Sequence, residues 1–263
     1  METSVKINNR LTQLFEKKKS GLLNIYFTAG FPKLDDTVTI IKLLEETGAD
    51  MIEIGMPYSD PLADGPTIQE SNMVALSNGM TIKKLFEQLK DLRQSVKLPI
   101  MLMGYLNPVM QYGVEAFCKK AAEVGVDGLI LPDLPLDEYT RRYKEVFEAN
   151  NLSNIFLVTP HTSEKRITQI DESSQGFIYV VSTDSTTGNA KDISGAKPYF
   201  EKIKSAGLKN PTMIGFNVKD HSSFTFATSY ANGAIIGSAF IKAIANSSDL
   251  KKDVSDFVKM VKG

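Results

Sequence analysis

Two carboxylic acids close to one apolar segment are the residues of this sequence best placed for acid–base chemistry. Glu53 lies inside the apolar run MIEIGMP, and Asp64 follows it in the loop segment YSDPLADG. A carboxyl group held in an apolar strand loses its water, which raises its pKa and suits it to general acid–base catalysis near neutral pH. The alternative is a structural Glu53 paired with a buried Lys or Arg, but no other apolar segment carries a basic residue.

The loop that carries Asp64 also favours turns by composition alone. Asp60 precedes a proline and Asp64 precedes a glycine, and both pairs are common in turns. The loop nevertheless follows the end of a predicted strand and is long for a connection between a strand and a helix. Catalytic groups of barrel enzymes lie in such loops, so the sequence predicts a functional site here.

Eight short apolar segments recur along the chain and are predicted to be strands. Most are near-continuous rather than alternating, which is typical of parallel strands covered on both faces. The segments are 24–30, 51–57, 100–105, 128–133, 154–160, 177–182, 212–216 and 233–238.

Amphipathic segments between these strands predict helices. Residues 81–95 carry an apolar stripe behind the N-cap residue Thr81, and residues 35–48 end at Gly48. Eight alternating strands and helices predict one (β/α)₈ TIM barrel domain over residues 1–263, with extra short helices such as one in residues 65–79. An open doubly wound sheet is the alternative, but the first strand is not followed by G-x-G-x-x-G.

Alternation along the second segment indicates where Glu53 points. Ile52 and Ile54 share one face, while Met51, Glu53 and Gly55 share the other. The wholly apolar face suits contact with the surrounding helices. Glu53 is therefore predicted to point into the barrel.

Composition and charge exclude several other classes of function. The chain has 263 residues, 42% of them hydrophobic and 23% charged, and a net charge of -1 that gives no reason to expect nucleic acid or an anionic membrane. Cys118 is the only cysteine, so no internal disulfide can form. No segment is apolar enough for a signal peptide or a membrane span, and a cytoplasmic location is expected.

The ends of the last two predicted strands indicate an anion site. Gly215-Phe216-Asn217 follows the seventh strand, and the eighth runs directly into a helix at Gly237-Ser238. Glycine lets backbone N–H groups approach an anion, and loops after strands seven and eight often bind phosphate in barrel enzymes. Tight packing between strand and helix would also explain the glycines.

The segment STDSTTGNAKDISG after the sixth strand is rich in small polar residues. Both a lid that closes over a substrate and a disordered surface loop fit it. The two histidines, His161 and His221, lie far apart in separate loop regions, and no dense cluster of oxygen ligands predicts a metal site. No G-x-S-x-G motif indicates a serine nucleophile.

The motif IEIGMPYSDPLADGPTIQ closely resembles the signature of the tryptophan synthase α subunit family. FTAGFP, MGYLNPV, GLILPDLP, YVVSTDSTTG and GAIIGSA follow in family order, so the resemblance covers nearly the whole chain. It implies a (β/α)₈ barrel that cleaves indole-3-glycerol phosphate to indole and glyceraldehyde 3-phosphate by a retro-aldol reaction. It also implies no cofactor in this chain, and a β-subunit partner that carries pyridoxal phosphate in an αββα complex.

The same resemblance implies roles for individual residues. Glu53 matches the general acid–base, and Asp64 matches the carboxylate that accepts the indole N–H and stabilises positive charge. Asp60 and Pro57 match positions nearer the β subunit. The remaining matches concern substrate contacts. Tyr26, Tyr179, Phe216 and Ile235 match positions around the substrate, Thr187 matches a lid threonine that bonds to the Asp64 position, and Gly188, Asn217, Gly237 and Ser238 match phosphate contacts.

This sequence departs from the family pattern at two places. Asn217 stands where members usually have glycine, which costs a little if the backbone φ there is positive. The lid has Ser185 and Thr186 where glycine and a hydrophobic residue are common, and Asp184 adds negative charge near the phosphate. Altered closing of the lid is expected.

Two other functions fit a barrel of this kind. One is an allosteric partner that binds ligand without turnover, which the presence of Glu53 and Asp64 disfavours. The other is a different phosphosugar lyase or isomerase, which would be expected to carry Lys or Cys at the strand ends. Release of indole by the isolated chain distinguishes these alternatives.

Overall fold

A closed barrel of eight parallel strands forms the centre of the computed structural model, which describes residues 6–61, 64–182 and 193–263. Each strand pairs with the next along the chain, and the eighth pairs with the first. The predicted (β/α)₈ fold is confirmed, and each predicted segment overlaps one strand, although the first and fifth strands begin ahead of their predicted segments. The strands are β1 Leu22–Thr28, β2 Met51–Gly55, β3 Ile100–Met103, β4 Gly128–Ile130, β5 Ser153–Val158, β6 Ile178–Val181, β7 Thr212–Gly215 and β8 Gly233–Ile236.

Helices follow the strands around the outside of the barrel. The α-helices are α1 Arg10–Lys17, α2 Asp36–Thr47, α3 Pro66–Ser77, α4 Ile82–Leu89, α5 Leu106–Tyr112, α6 Val114–Glu123, α7 Leu136–Glu138, α8 Lys144–Ala149, α9 Glu164–Ser173, α10 Lys197–Ser205, α11 His221–Thr228, α12 Ser238–Ile244 and α13 Leu250–Lys262. A π-helical segment, Tyr139–Tyr143, joins α7 to α8, and 3₁₀ turns cover Leu92–Gln94 and Ile193–Ala196. Within the described ranges, none of the helices has the length and apolarity needed to cross a membrane.

The helix ends follow the signals that the sequence carries. The Thr81 side chain accepts a hydrogen bond from the Lys84 N–H and caps α4. Gly48, with a φ of 95°, ends α2 in the left-handed conformation that glycine adopts at low cost. The predicted extra helix in residues 65–79 is α3, which begins at Pro66. These three predictions are confirmed.

An apolar cluster fills the barrel and reaches α1 at its lower end, where the strands begin. Leu11 and Phe15 of α1 are buried, and the Phe15 ring lies 6.0 Å from that of Phe177, just ahead of β6. The cluster comprises Leu11, Phe15, Leu22, Met51, Met101, Ile130, Ile155, Phe177, Tyr179, Val181, Met213 and Ile235. Helix α1 therefore closes the barrel at the end opposite the strand carboxyl ends.

A buried carboxylate ties three distant segments together at this lower end. Asp127 is 1% exposed and pairs with Arg10 at 3.0 Å and with Arg93 at 2.8 Å. It also accepts the Ile100 backbone N–H at 3.0 Å, at the start of β3. Asn9 fixes α1 to the same point, because its Nδ2 donates to the Asp127 carbonyl at 2.7 Å. The network joins α1, the segment after α4, and the starts of β3 and β4.

We expect Asp127→Ala to lower the free energy of unfolding by about 3–5 kcal/mol, because it leaves the Arg93 guanidinium and a buried N–H without their partner. Urea denaturation measures the change. The matched control is Asp137→Ala, whose carboxylate is 90% exposed and pairs with Arg166 at 3.4 Å. The control should change stability by less than about 1 kcal/mol. Equal effects of the two substitutions would contradict a structural role for the Asp127 network.

Candidate active site

Glu53 is completely buried in the upper part of the barrel, towards the carboxyl ends of the strands. Met51 belongs to the barrel interior, whereas Ile52 and Ile54 pack in the cluster between barrel and helices. Side chains alternate along β2, so Glu53 points inward, as predicted. Its exposed fraction is 0%.

One hydrogen bond holds the Glu53 carboxyl group. Nδ2 of Asn24, a fully buried residue of β1, donates to Oε1 of Glu53 at 2.6 Å. Oε2 of Glu53 and Oδ1 of Asn24 have no hydrogen-bond partner among the described residues. Burial raises the pKa of Glu53 to about 8, and the Asn24 hydrogen bond opposes that rise. Glu53 is therefore mostly protonated at neutral pH.

Asp64 lies just ahead of α3 in the loop that follows β2, and it is half-buried. Its backbone N–H donates to the Pro61 carbonyl at 3.0 Å, and its own carbonyl accepts from Nε2 of Gln69 at 2.8 Å. The Tyr105 hydroxyl donates to its Oδ2 at 3.3 Å. Burial raises the pKa of Asp64 to about 6, and the Tyr105 hydrogen bond opposes that rise. Asp64 is therefore mostly ionised at neutral pH.

The charges of both carboxyl groups contribute to raising the pKa values of two tyrosines, Tyr26 and Tyr179. The pKa of Tyr179 is raised by burial first, and then by the charges of Glu53, Tyr26 and Asp64. The pKa of Tyr26 is raised by burial and by Asp64, with a smaller effect of Glu53. The structure thus brings Tyr26, Glu53, Asp64 and Tyr179 into one site. One carboxyl group in it can donate a proton while the other supplies a negative charge.

Aromatic and apolar side chains form the walls of this site. The Tyr179 ring meets the Phe216 ring edge to face, with centroids 6.2 Å apart. Ile235 is 2% exposed and belongs to the same interior cluster as Tyr179, with Phe216 packed against it. These three predicted pocket residues lie together on β6, β7 and β8 or at their ends.

Glycines on neighbouring strands make room for the two tyrosines. A Cβ atom at Gly55 would overlap the Tyr26 hydroxyl, and one at Gly237 would lie 3.2 Å from Cδ1 of Tyr26. A Cβ atom at Gly215 would likewise overlap the Tyr179 hydroxyl. Close approach of a side chain is therefore one reason for glycine at positions 215 and 237, in addition to the anion binding that the sequence suggests.

The segments after β7 and β8 lie side by side, because these strands are neighbours in the barrel. Phe216 and Asn217 both have positive φ, 68° and 58°, a conformation that few residues other than glycine adopt. Because φ at Asn217 is positive, asparagine there carries the small conformational cost that the sequence analysis attached to that case. Gly237 leads directly into α12, which begins at Ser238, and Asn217 and Ser238 are exposed.

Some predictions fall on residues that the structure does not describe. Thr187, Gly188 and the lid residues 183–186 lie outside the described ranges. Within those ranges, no group of three or more His, Cys, Asp or Glu side chains could hold a metal ion.

The sequence analysis missed two side chains of the site, Asn24 and Tyr105. Asn24 stands two residues before Tyr26, so both point into the barrel, and this alternation could have identified it. Tyr105 follows the end of β3, the strand next to β2, and could have been found as a polar side chain at a strand end.

Comparisons with known proteins agree on one family. The sequence profile described as "Tryptophan synthase alpha chain" matches residues 11–262. The tryptophan synthase alpha chain of Flavobacterium psychrophilum is 55% identical over 94% of this chain and 99% of its own length, and that of Christiangramia forsetii is 54% identical over 97% and 98%. The crystal structure of tryptophan synthase subunit alpha from Legionella pneumophila is similar, with a TM-score of 0.89 and 32% identity over 97% of each chain. A chain of the tryptophan synthase complex from Pyrococcus furiosus gives a TM-score of 0.84 at 32% identity, over 93% of this chain and 98% of that one.

We expect the free energy of unfolding to fall as pH rises from 4.5, the ordinary pKa of a glutamic acid, to about 8. The substitution Glu53→Gln should remove most of this pH dependence. The raised pKa means that the folded state binds a proton that the unfolded state has released over that range. The change in unfolding free energy from Glu53 is up to about 5 kcal/mol. Asp64 contributes in the same direction, but only up to about pH 6.

Urea denaturation at several pH values tests this expectation. Glu87→Gln, which neutralises a carboxylate 54% exposed on α4, is the matched control and should leave the pH dependence unchanged. A Glu53→Gln protein with the pH dependence of the wild type would show that the buried carboxyl group is ionised at neutral pH.

We expect Gly55→Ala to destabilise the protein by about 1–3 kcal/mol, because the added Cβ overlaps the Tyr26 hydroxyl. The loss should shrink when Tyr26→Leu removes the ring, so a double-mutant cycle by thermal denaturation measures the coupling. Gly195→Ala is the control, since a Cβ there meets no atom within 4 Å. Equal losses in both backgrounds would disprove the steric explanation.

Proposed function

The chain belongs to the tryptophan synthase alpha chain family, and on that premise we propose that Glu53 and Asp64 are the catalytic pair of its reaction. The reaction is retro-aldol cleavage of indole-3-glycerol phosphate to indole and glyceraldehyde 3-phosphate, a step of tryptophan biosynthesis. The observation that carries the assignment is the difference between the two carboxyl groups. Glu53 is fully buried in the barrel and Asp64 is half-buried in a loop, and burial raises their pKa values to about 8 and about 6.

Glu53 is the proton carrier in this proposal. As a protonated acid it donates to C3 of the indole ring, which leaves the ring cationic. As a carboxylate it then accepts the proton of the glycerol hydroxyl group, and the bond between C3 and the glycerol carbon breaks. The bonding electrons return to the ring, so indole and an aldehyde leave and Glu53 regains its proton. A buried acid with a pKa near the working pH suits both steps.

Asp64 supplies fixed negative charge. Its carboxylate accepts the indole N–H and stabilises the positive charge that develops when C3 is protonated. Partial burial strengthens this interaction, because less water screens it than on an exposed loop.

The remaining site residues bind the substrate in this proposal. Tyr26, Tyr179, Phe216 and Ile235 surround the indole and the reacting carbons, and the mutual contacts of Tyr179, Phe216 and Ile235 support this role. The phosphate lies between the ends of β7 and β8, against Asn217, Gly237 and Ser238. The family resemblance assigns substrate contacts to Thr187 and Gly188 as well, which lie outside the described residues.

The partner in this proposal is a tryptophan synthase β subunit, in an αββα complex whose pyridoxal phosphate belongs to the β subunit. The similar chain from Pyrococcus furiosus comes from a structure named as a tryptophan synthase complex. Pro57 and Asp60 face the partner in this arrangement. The ring of Tyr58, which lies between them in sequence, is 5.2 Å from the Tyr105 ring and tilted by 35° against it, so the segment contacts the residue that bonds to Asp64. We assign the chain no cofactor of its own, and place it in the cytoplasm.

We expect Glu53→Gln to slow indole formation by about 10²–10⁴-fold, because the amide cannot transfer the proton. Asp64→Asn should cost about 10²–10³-fold through the lost charge. Indole release from indole-3-glycerol phosphate, with and without a cognate β chain, measures both. Asp60→Asn is the matched control in the same loop, where the exposed carboxylate accepts only from Ser59 among the described residues, and the isolated chain should keep near-normal activity. Near-normal turnover by Glu53→Gln would refute the assignment.

A further inference from the structure

Asn24 is a polar residue in a part of the barrel that is otherwise almost wholly apolar. It is 0% exposed, and Leu22 on the same face of β1 belongs to the apolar interior cluster. Its amide oxygen is buried and has no hydrogen-bond partner in the described part of the chain. A buried amide oxygen without a partner lowers the stability of the folded state, and an aliphatic side chain would avoid that loss. Packing alone therefore does not explain an asparagine here.

Among the described residues, the one hydrogen bond of the Asn24 amide is to the acid of the site. Nδ2 donates to Oε1 of Glu53 at 2.6 Å, while Oε2 of Glu53 is left without a partner among the described residues. An ionised carboxylate accepts at either oxygen, but a neutral carboxylic acid accepts readily only at its carbonyl oxygen. The Asn24 hydrogen bond is therefore compatible with both protonation states only when the proton sits on Oε2.

We propose that Asn24 is a positioning residue that holds Oε1 of Glu53 in both protonation states and so makes Oε2 the oxygen that exchanges the proton. The inference rests on the proposed role of Glu53 as acid and base. A carboxyl group held by one oxygen keeps its other oxygen in one place while the proton leaves and returns, and such fixed geometry favours a positioned proton transfer. No proton passes through Asn24 itself.

Within the described residues, Asn24 is the one side chain that hydrogen-bonds to the Glu53 carboxyl group. Tyr26 from β1 and Tyr179 from β6 are neutral at working pH, because burial raises the pKa of both phenols. Asp64, in the loop after β2, acts on both tyrosines but does not shift the pKa of Glu53. The Asn24 donor favours the ionised form of Glu53 and opposes the effect of burial.

Asn24→Leu tests the proposal, since it keeps the approximate volume and removes the amide. We expect kcat for indole formation to fall about tenfold with KM nearly unchanged, and the alkaline limb of the pH profile to move up by about one pH unit. In infrared difference spectra against Glu53→Gln, the carbonyl band of the protonated Glu53 should move to higher frequency, because Oε1 loses its donor.

The matched control is Asn154→Leu. Asn154 is a buried asparagine of β5, 2% exposed, and its amide nitrogen has no hydrogen-bond partner within the ranges that the structure describes. Its neighbour Ile155 points into the barrel, so Asn154 faces the helices. This control should leave the band and the alkaline limb unchanged. If circular dichroism shows that Asn24→Leu does not fold, Asn24→Ala also removes the donor and should change the same quantities in the same direction.

An unchanged band frequency and alkaline limb in the Asn24 variants would overturn the proposal, as would equal changes in Asn154→Leu. The proposed function fails separately, if Glu53→Gln still forms indole. In that case the infrared band still reports whether Asn24 holds Oε1.

Discussion

The cost of holding a carboxyl group in an apolar barrel is the constraint on which the rest of this site depends. Glu53 is fully buried, faces no cation among the described residues, and receives one hydrogen bond, from Asn24. Removal from water therefore decides its protonation state, and the group carries its proton at neutral pH. Asp64 has the same chemistry but lies in a loop, half-buried, so it remains mostly ionised. The different burial of the two carboxyl groups therefore explains why one is protonated and the other ionised at neutral pH.

The two ends of the barrel meet different demands. At the lower end, α1 covers the apolar interior and Asp127 joins three chain segments through paired charges and backbone donors. At the upper end, Oε2 of Glu53 and Oδ1 of Asn24 have no hydrogen-bond partner in the described part of the chain, and two consecutive residues other than glycine adopt positive φ. Unpaired buried atoms and strained backbone lower the stability of the fold, and the ion pairs and hydrogen bonds of Asp127 at the lower end offset that loss. This separation is typical of barrel enzymes, whose chemistry lies at the carboxyl ends of the strands.

Much of the fold could be predicted from the sequence because parallel strands covered on both faces are continuous apolar runs. The same patterning gave the helix ends at Thr81 and Gly48, where capping depends on one residue. Alternation along β2 correctly placed Glu53 inside. Asn24 and Tyr105 were missed because their importance depends on contacts between strands, Asn24 with Glu53 and Tyr105 with Asp64, which no local pattern contains. The clearance that Gly55 gives Tyr26 is likewise visible only in three dimensions.

The glycines beside the two tyrosines also limit the order in which this protein can evolve. Gly55 and Gly237 lie against Tyr26, and Gly215 lies against Tyr179, so the shape of the cavity is set partly by positions that present no side chain. A larger residue at Gly55 or Gly215 is accessible only after the facing ring has become smaller, whereas at Gly237 the Tyr26 ring need only shift slightly. Mutational routes through Gly55 or Gly215 to a reshaped cavity therefore run in one direction, with the aromatic position changing first and the glycine second. Lineages that change the glycine first would pass through a strained intermediate that selection removes.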